Sequence, residues 1–386
     1  MSVTALSGQV DTNTILSDEK VIDMDETIGI LDPATSQFTT MLMKIASKKA
    51  TNQKVEWLED QLFPRLSATS GSQLSTDTTI NVTAGTGQYF RPGAFVRNAR
   101  TGEGIVVTSV ATDALTVTRG IGSVAAAAMN AGDQLLIVGN ASQQGAGLGT
   151  MKVAKRVMNY NYEQIQRDPY GFTNTLINSA LYTGGEPDNE RKKKLVEHKR
   201  AIEYSLFWGA RFLDTSGTHP TGYSGGIVEY LSTNVHNVGG ALTKSALDTY
   251  LQQDLQHGSE NKVFFVAPIL AVAMSGFLRD NWIRANPNTK LFGAKVDALI
   301  SGAYGFQIPV IVKRDWNDFS TASNQYGSWG FLVDMDYVKF RPMRTTQLLR
   351  DRQNNDVDGY DEEYLTEYTL ELQQEPVHAL YKGVTG

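Results

Sequence analysis

The chain of 386 residues has no cysteine, which excludes disulfides, thiolate metal sites and thiol catalysis. Its five histidines show no metal-ligand spacing, and no Walker-type phosphate loop occurs. No basic start followed by an apolar stretch opens "MSVTALSGQVDTNTILSDEK", so a secretory signal is not expected. Long hydrophobic runs are also missing. The strongest, "VFFVAPILAVAM" (263–274), contains Pro268 and is too short to cross a bilayer. Positive charge is in deficit: the formal net charge is −6, which gives no general attraction to nucleic acid or acidic membranes. These absences predict a soluble chain made in the cytoplasm, with no membrane partner, metal or cofactor.

What remains is ordinary globular composition, 41% hydrophobic and 20% charged, long enough for two or three domains. Residues 1 to about 53 read as an extended arm with a break at Asp32-Pro33 and a short helix capped by Thr35 or Ser36. "NQKVEWLEDQLFPR" (52–65) has strand alternation. From 74 to 139, β-branched runs such as "TTINVTA", "GIVVTSVA" and "QLLIVGN" are broken by turns about every ten residues. This predicts a small all-β module, a sandwich or barrel. "KRVMNYNYEQIQRDPYGFT" (155–173) returns to strand texture and is expected to pair back onto residues 54–62. The module thereby becomes an insertion in a long hairpin.

The strongest helix signal spans 187–213, with Pro187, Asp188 and Glu190 in its first turn and Leu195, Ile202, Leu206 and Leu213 on one face. Such a helix runs roughly 40 Å, a structural spine. An α/β stretch follows. Thr243 caps a helix, "KVFFVA" is a buried strand, Pro268 opens a helix and "QIPVIVKRDW" is a strand. The C-terminal part is β again. There Tyr368, Leu370 and Leu372 are expected on one face and Glu367, Thr369 and Glu371 on the other.

Four motifs hint at chemistry. "HPTGYSGGIVEYL" (219–231) matches G-x-S-x-G at Gly222, Ser224 and Gly226. A nucleophile elbow needs a strand directly before its serine and a helix directly after. Here loop sequence precedes and two glycines follow, so the pattern predicts a glycine-rich joint, with a serine hydrolase using Ser224 as the enzyme alternative. Gly120, Gly122 and Ala125 spell a dinucleotide-type turn but lack the βαβ surroundings. Asn354, Asp356, Asp358 and Gly359 resemble a calcium loop, yet Leu365 stands where a bidentate glutamate is needed. "ERKKK" (190–194), with Lys199 and Arg200, is the densest basic run. It reads as a solvated helix face or an interface, and any DNA contact through it is sequence-independent. No coherent catalytic constellation emerges.

The order of these parts is where a resemblance enters. "LDPATSQFTTMLMKI", "KATNQKVEWLEDQL" and "FRPGAFVRNARTGEGIVVTSVATDALTVTRGIGS" resemble tailed-bacteriophage major capsid proteins of the SU-ten type. The likeness covers the whole chain in order, resting mainly on architecture in the C-terminal part. It implies an α+β Hong Kong 97-type capsid fold. Residues 1–53 would be the N-arm and 54–170 the E-loop, with the β insertion at 74–139. Residues 171–221 and 328–386 would form the peripheral domain, with the spine helix 187–213, and 222–327 the axial domain. The function implied is self-assembly into hexamers and pentamers of an icosahedral virion shell, in the host cytoplasm, around double-stranded DNA held by weak non-specific contact. Implied partners are a separate scaffolding protein, since no long charged N-terminal scaffold segment is present, a portal and a decoration protein. An encapsulin-like protein compartment shares the fold and is the other alternative.

Under that resemblance the residues expected at contacts between subunits are Trp57, Glu59, Asp60, Arg65, Arg91, Arg97, Arg100, Arg156, Arg167, Arg191, Lys192, Lys193, Asp358 and Asp361. Glu103 is expected on an exposed loop of the β module beside Arg91, Arg97 and Arg100.

Overall fold

The computed structural model describes residues 36–45, 48–149, 151–179, 186–277, 304–319 and 326–385, with short strand segments between 282 and 300. Most of the expected N-terminal arm, including Asp32-Pro33 and Thr35, lies outside the described residues. Two compact units emerge, one from Met1–Trp57 with Asn159–Gly386 and the other from Leu58–Met158.

The first unit is organised around the strand Lys262–Val266, buried at all five positions. Successive strand side chains point to opposite faces, so this strand feeds two cores. Val263 and Phe265 join one apolar cluster, Phe264 and Val266 the other. It lies inside a seven-stranded mixed sheet. The strand order is Val235–Ala241, Ala379–Thr385, Gly330–Asp334, Lys262–Val266, Gln307–Val312, Asp297–Ile300 and Trp282–Ile283. The sheet joins strands from both sides of residue 327, so its hydrogen bonds run across the segments expected to be axial and peripheral.

Helices Lys244–Asp254 and Pro268–Phe277 cover one face through Leu247, Leu251, Leu270 and Met274. The Thr243 hydroxyl accepts from the Ala246 amide, as an N-cap should. The spine helix Glu186–Trp208 and the short helix Gln37–Lys44 cover the other face with Ile202, Leu206, Phe207, Phe38 and Met41. Ser36 occupies the short helix's N-cap position without a side-chain capping bond.

The spine helix buries His198, Ile202, Glu203, Leu206 and Phe207, a stripe at helical spacing. Its 23 residues span about 35 Å. It ends earlier than expected, and Leu213 instead lies in the strand Phe212–Asp214, which pairs with Thr221–Tyr223. The reason is local. The Gly209 amide closes the last turn on the Ser205 carbonyl. A Cβ on Gly209 would stand 2.3 Å from the Ser224 carbonyl oxygen, so the chain turns away where another segment passes.

A second sheet has the antiparallel order Val338–Leu349, Gly359–Leu372, Gln164–Thr173. Tyr368, Leu370 and Leu372 enter the core as expected. On the opposite face Thr369 and Glu371 are buried and Glu367 is half-buried. Arg341 pairs with Glu371 and Arg344 with Glu367, and these arginines roof that face. The stretch expected as one strand over 155–173 is two. Val157–Tyr162 pairs with Lys54–Glu59, while Gln164–Thr173 belongs to the second sheet. Glu163 is the break.

The second unit is a six-stranded sheet in the order Leu66–Ala68, Gln134–Asn140, Ala94–Asn98, Gly104–Ala111, Ala114–Ile121, Thr79–Asn81. Its two edges meet, with the Thr83 amide on Ala68 (2.8 Å) and the Ser70 amide on Asn81 (2.9 Å). The sheet is therefore a small closed barrel, which removes free strand edges. Ile80, Phe90, Val96, Ile105, Val107 and Leu115 fill it.

Candidate functional site

The glycine-rich stretch after the spine helix is a buried joint. Ser224 is 1% exposed. Its hydroxyl lies 3.3 Å from the Asn161 amide nitrogen and 3.4 Å from the Thr369 hydroxyl. Among the described residues no histidine is hydrogen-bonded to it. Against the expected loop flanks, the strand Thr221–Tyr223 precedes it and the short helix Ile227–Tyr230 follows, but the turn between them packs inward and hides the hydroxyl. Asn161, fully buried, organises the joint. Its Nδ2 donates to Leu370 O (2.7 Å) and Gly225 O (3.0 Å), and its Oδ1 accepts from the Gly225 amide (2.8 Å) and the Tyr162 amide (2.9 Å). One side chain thus ties the strand Val157–Tyr162 to the joint and to the second sheet. Ser224→Ala is expected to cost only about 1 kcal/mol of stability and to leave fluorophosphonate labelling at background. Probe labelling of the native chain that vanishes in the variant would restore the hydrolase reading.

The same strand is fixed at Tyr160. Arg211 lies 4.3 Å over its ring, and its carbonyl accepts from the Tyr230 hydroxyl. Trp57 is buried, with its ring 5.9 Å from that of Tyr230. Gly222 and Gly226 are required by close approach. A Cβ would stand 2.1 Å from the Glu163 carbonyl oxygen at the first, and 2.7 Å from backbone atoms of Gly209, Phe207 and Ser205 at the second.

Glu163, at the break between the two strands, is 4% exposed, and its Oε1 has no hydrogen-bond partner among the described residues. Burial, then the neighbouring Glu367, push its carboxyl up to about 7, with Arg341 and Arg344 opposing. The folded state therefore favours the protonated form. That contribution is complete below the unfolded value near 4.5 and is lost as pH rises through about 7. Glu163→Gln is expected to flatten the fall in urea midpoint between pH 5 and pH 8 and to exceed the native chain at pH 8. Parallel pH profiles for the two chains would refute this.

The remaining sequence motifs resolve into structural roles. Gly120 and Gly122 have positive φ, and the loop amides of Gly120 and Ala127 bind the carboxylate of Glu103 rather than a phosphate. Glu103 itself is fully buried and paired with Arg119 (2.7 Å), which corrects its expected place on an exposed loop. Gly359 opens the strand Gly359–Leu372, in which Leu365 is buried. The Asp358 carboxylate accepts from Asn174, and among the described residues no group of three or more potential metal ligands gathers.

Several residues expected at subunit contacts are engaged within the chain. Arg100 grips Asp133 (2.8 Å), Arg167 grips Glu363 (2.7 Å), and Arg191 grips Glu362 (2.7 Å) and Asp188 (2.8 Å). Arg97 donates to Gly102 O, Lys193 pairs with Glu190, and Arg156 pairs with Asp60 at 3.4 Å. Arg65, Arg91 and Lys192 are exposed, while Glu59 and Asp361 are half-buried.

Sequence reasoning missed the buried polar pairs. Lys313 and Glu203 form an ion pair in the core, with Asp315 at 3.5 Å from the ammonium and the Thr39 amide on the second Glu203 oxygen. Burial pushes the Glu203 carboxyl up against the pull of Lys313. His198 bridges Asp168 (2.5 Å) and Thr366 (2.6 Å). That triad-like order has no access for a substrate, because His198 and Thr366 are both 0% exposed. The signal available for Asn161 was its place in "NYNY" (159–162), polar at alternate positions of a strand.

Comparison with known proteins agrees with this geometry. The model of the SU10 major capsid protein family matches residues 5–385. A major capsid protein of Pseudomonas phage PaMx41 is 27% identical over 164 residues, covering 42% of this chain and 39% of that protein. The matched part is thus about two fifths of the relative's length. The fold resembles the capsid of a native GTA particle, with a TM-score of 0.53, 13% identity, and coverage of 99% of this chain and 100% of that one. It also resembles a structure from Mycobacterium phage Bobi, with a TM-score of 0.51, 7% identity, and coverage of 97% and 99%.

Proposed function

Because the chain belongs to the SU10 major capsid protein family, we propose that it is the shell-forming subunit of a tailed double-stranded DNA phage. Its fold is the Hong Kong 97 type, α+β throughout. The observation that carries the proposal is the extent of the family match, residues 5–385. The buried Ser224 supports a structural rather than an enzymatic role.

In this reading copies close into hexamers and pentamers of an icosahedral virion shell, held by contact area spread over many residues. The ribbon of Lys54–Glu59 and Val157–Tyr162, with the barrel unit it leads into, reaches onto an adjacent copy. Arg65, Arg91 and Lys192, exposed in the single chain, are the charged contacts this favours most. The net charge of −6 suits a wall that holds DNA weakly. A scaffolding protein, a portal and a decoration protein are the further partners.

The test is negative-stain microscopy of the expressed chain, alone and with its neighbouring genes. Closed shells, tubes or sheets of hexameric rings are expected. Dispersed chains under both conditions would overturn the reading, and shells packed with protein cargo would assign a compartment instead. Deleting residues 74–139 is expected to give shells that melt at lower temperature. Shells of undiminished stability would remove the barrel's reinforcing role.

A further inference from the structure

Three of the most exposed large apolar side chains among the described residues fall within six positions: Leu148 (86%), Met151 (76%) and Val153 (88%). They belong to a segment without regular secondary structure. Its direction is fixed by Lys152, whose ammonium donates to the carbonyls of Gln88 (2.7 Å) and Phe90 on the barrel. In an extended chain alternate residues face opposite ways. With Lys152 turned onto its own barrel, Met151, Val153 and Lys155 present themselves outward. Exposed apolar side chains held in order on one edge mark a surface that another molecule covers. The sequence here, "LGTMKVAKRVM" (148–158), carries three basic residues and no acid.

The first unit contains a matching recess. A cavity of about 710 Å³ opens at the C-terminal end of the spine helix, walled by Tyr204, Trp208, Phe212 and Tyr223, with Asp214 at its edge. Among the described residues no lysine or arginine lines it. The last carbonyls of a helix carry partial negative charge, and Asp214 is held ionised by the Ser216 hydroxyl and amide. Aromatic walls favour a methionine sulfur and the stem of a lysine.

We propose that Met151 and Val153 of a second copy of this chain seat in this aromatic cavity, with Lys155 of that copy against Asp214. The inference rests on the assembly reading and gives it a specific joint. Charge selects the occupant: a basic, apolar strap meets an aromatic pocket in which Asp214 is the charged lining residue among those described.

The absence of native cysteine allows a direct test. Chains carrying Val153→Cys and chains carrying Ala210→Cys, a cavity-lining position, are co-assembled and oxidised. A disulfide dimer found only in the mixture is expected, and none when Leu74→Cys, on the barrel, replaces Val153→Cys. Shells that form without the dimer overturn the inference while the assembly reading stands. Failure of the unsubstituted chain to form shells in any setting overturns both. Val153→Asp supplies an independent measure. Val153 is exposed in the single chain, so the variant should keep the native urea midpoint and lose at least about tenfold in shell yield, since each 1.4 kcal/mol lost at a contact is a factor of ten. Unchanged yield sinks the proposal.

Discussion

Lys313→Met should lower the unfolding free energy by about 3–5 kcal/mol, the cost of leaving a buried carboxylate without its counter-charge. Lys313 and Glu203 are 1% and 2% exposed, and the Glu203 carboxylate already bears a burial penalty that Lys313 offsets. The pair joins three segments: the spine helix through Glu203, the end of the strand Gln307–Val312 through Lys313, and the helix Gln37–Lys44 through the Thr39 amide. Without the ammonium, Glu203 must take up a proton to stay buried, so the deficit should shrink as pH falls. The urea midpoint at two pH values measures both. Lys313→Met combined with Glu203→Leu should recover part of the loss, because it removes the uncompensated Glu203 carboxylate, while the buried Asp315, 3.5 Å from the ammonium, still loses its counter-charge. About 1 kcal/mol of the remainder should come from the Thr39 amide, which loses its acceptor. Equal damage from the single and double variants would show that packing volume, rather than charge, makes this core.

Gly226→Ala is expected to be nearly as severe, about 3 kcal/mol, although it adds a single methyl group. That methyl would stand 2.7 Å from three backbone atoms of the spine helix's last turn and its exit, and backbone cannot swing aside as a side chain can. At Gly225 the nearest atoms are instead Arg211 Cβ at 2.9 Å and Glu229 Cγ at 3.3 Å, so Gly225→Ala should cost clearly less. The comparison of the two neighbours by urea denaturation is the informative measurement. Similar losses at both would mean that glycine serves chain flexibility at the joint rather than close approach. The Gly226→Ala chain should also fail to assemble, because the same joint carries the Asn161 bonds that position the ribbon Lys54–Glu59 with Val157–Tyr162.

Much of the architecture was legible in sequence because it is written in periodicity. The helix opened near Pro187, the helix capped by Thr243 and the wholly apolar strand around Phe264 each declare themselves through spacing, capping and burial pattern. The G-x-S-x-G stretch was readable as a joint only in part: its flanks read as loop, yet the strand Thr221–Tyr223 and the helix Ile227–Tyr230 border it, and burial is what seals Ser224.

Other features had no local signal. Glu203 and Lys313 are 110 positions apart, and each looks like a surface charge in its own segment. Arg100, Arg167 and Arg191 read as contact residues, yet each finds its acid on another element. The charged face of the strand Gly359–Leu372 gave no sign of its partners, the arginines of the strand Val338–Leu349 that cover it.

By itself, then, the sequence determined the type of the strongly periodic segments, such as the helix opened near Pro187 and the strand around Phe264, and that cysteine chemistry and apolar spanning runs are absent. These follow from interactions between residues a few positions apart. Only the tertiary structure decided which charges are neutralised inside the chain, where the spine helix stops, and that Ser224 is sealed under Asn161. Each depends on a partner carried by another element of the fold, as Gly225 and Leu370 are for Asn161. No local pattern encodes such a meeting.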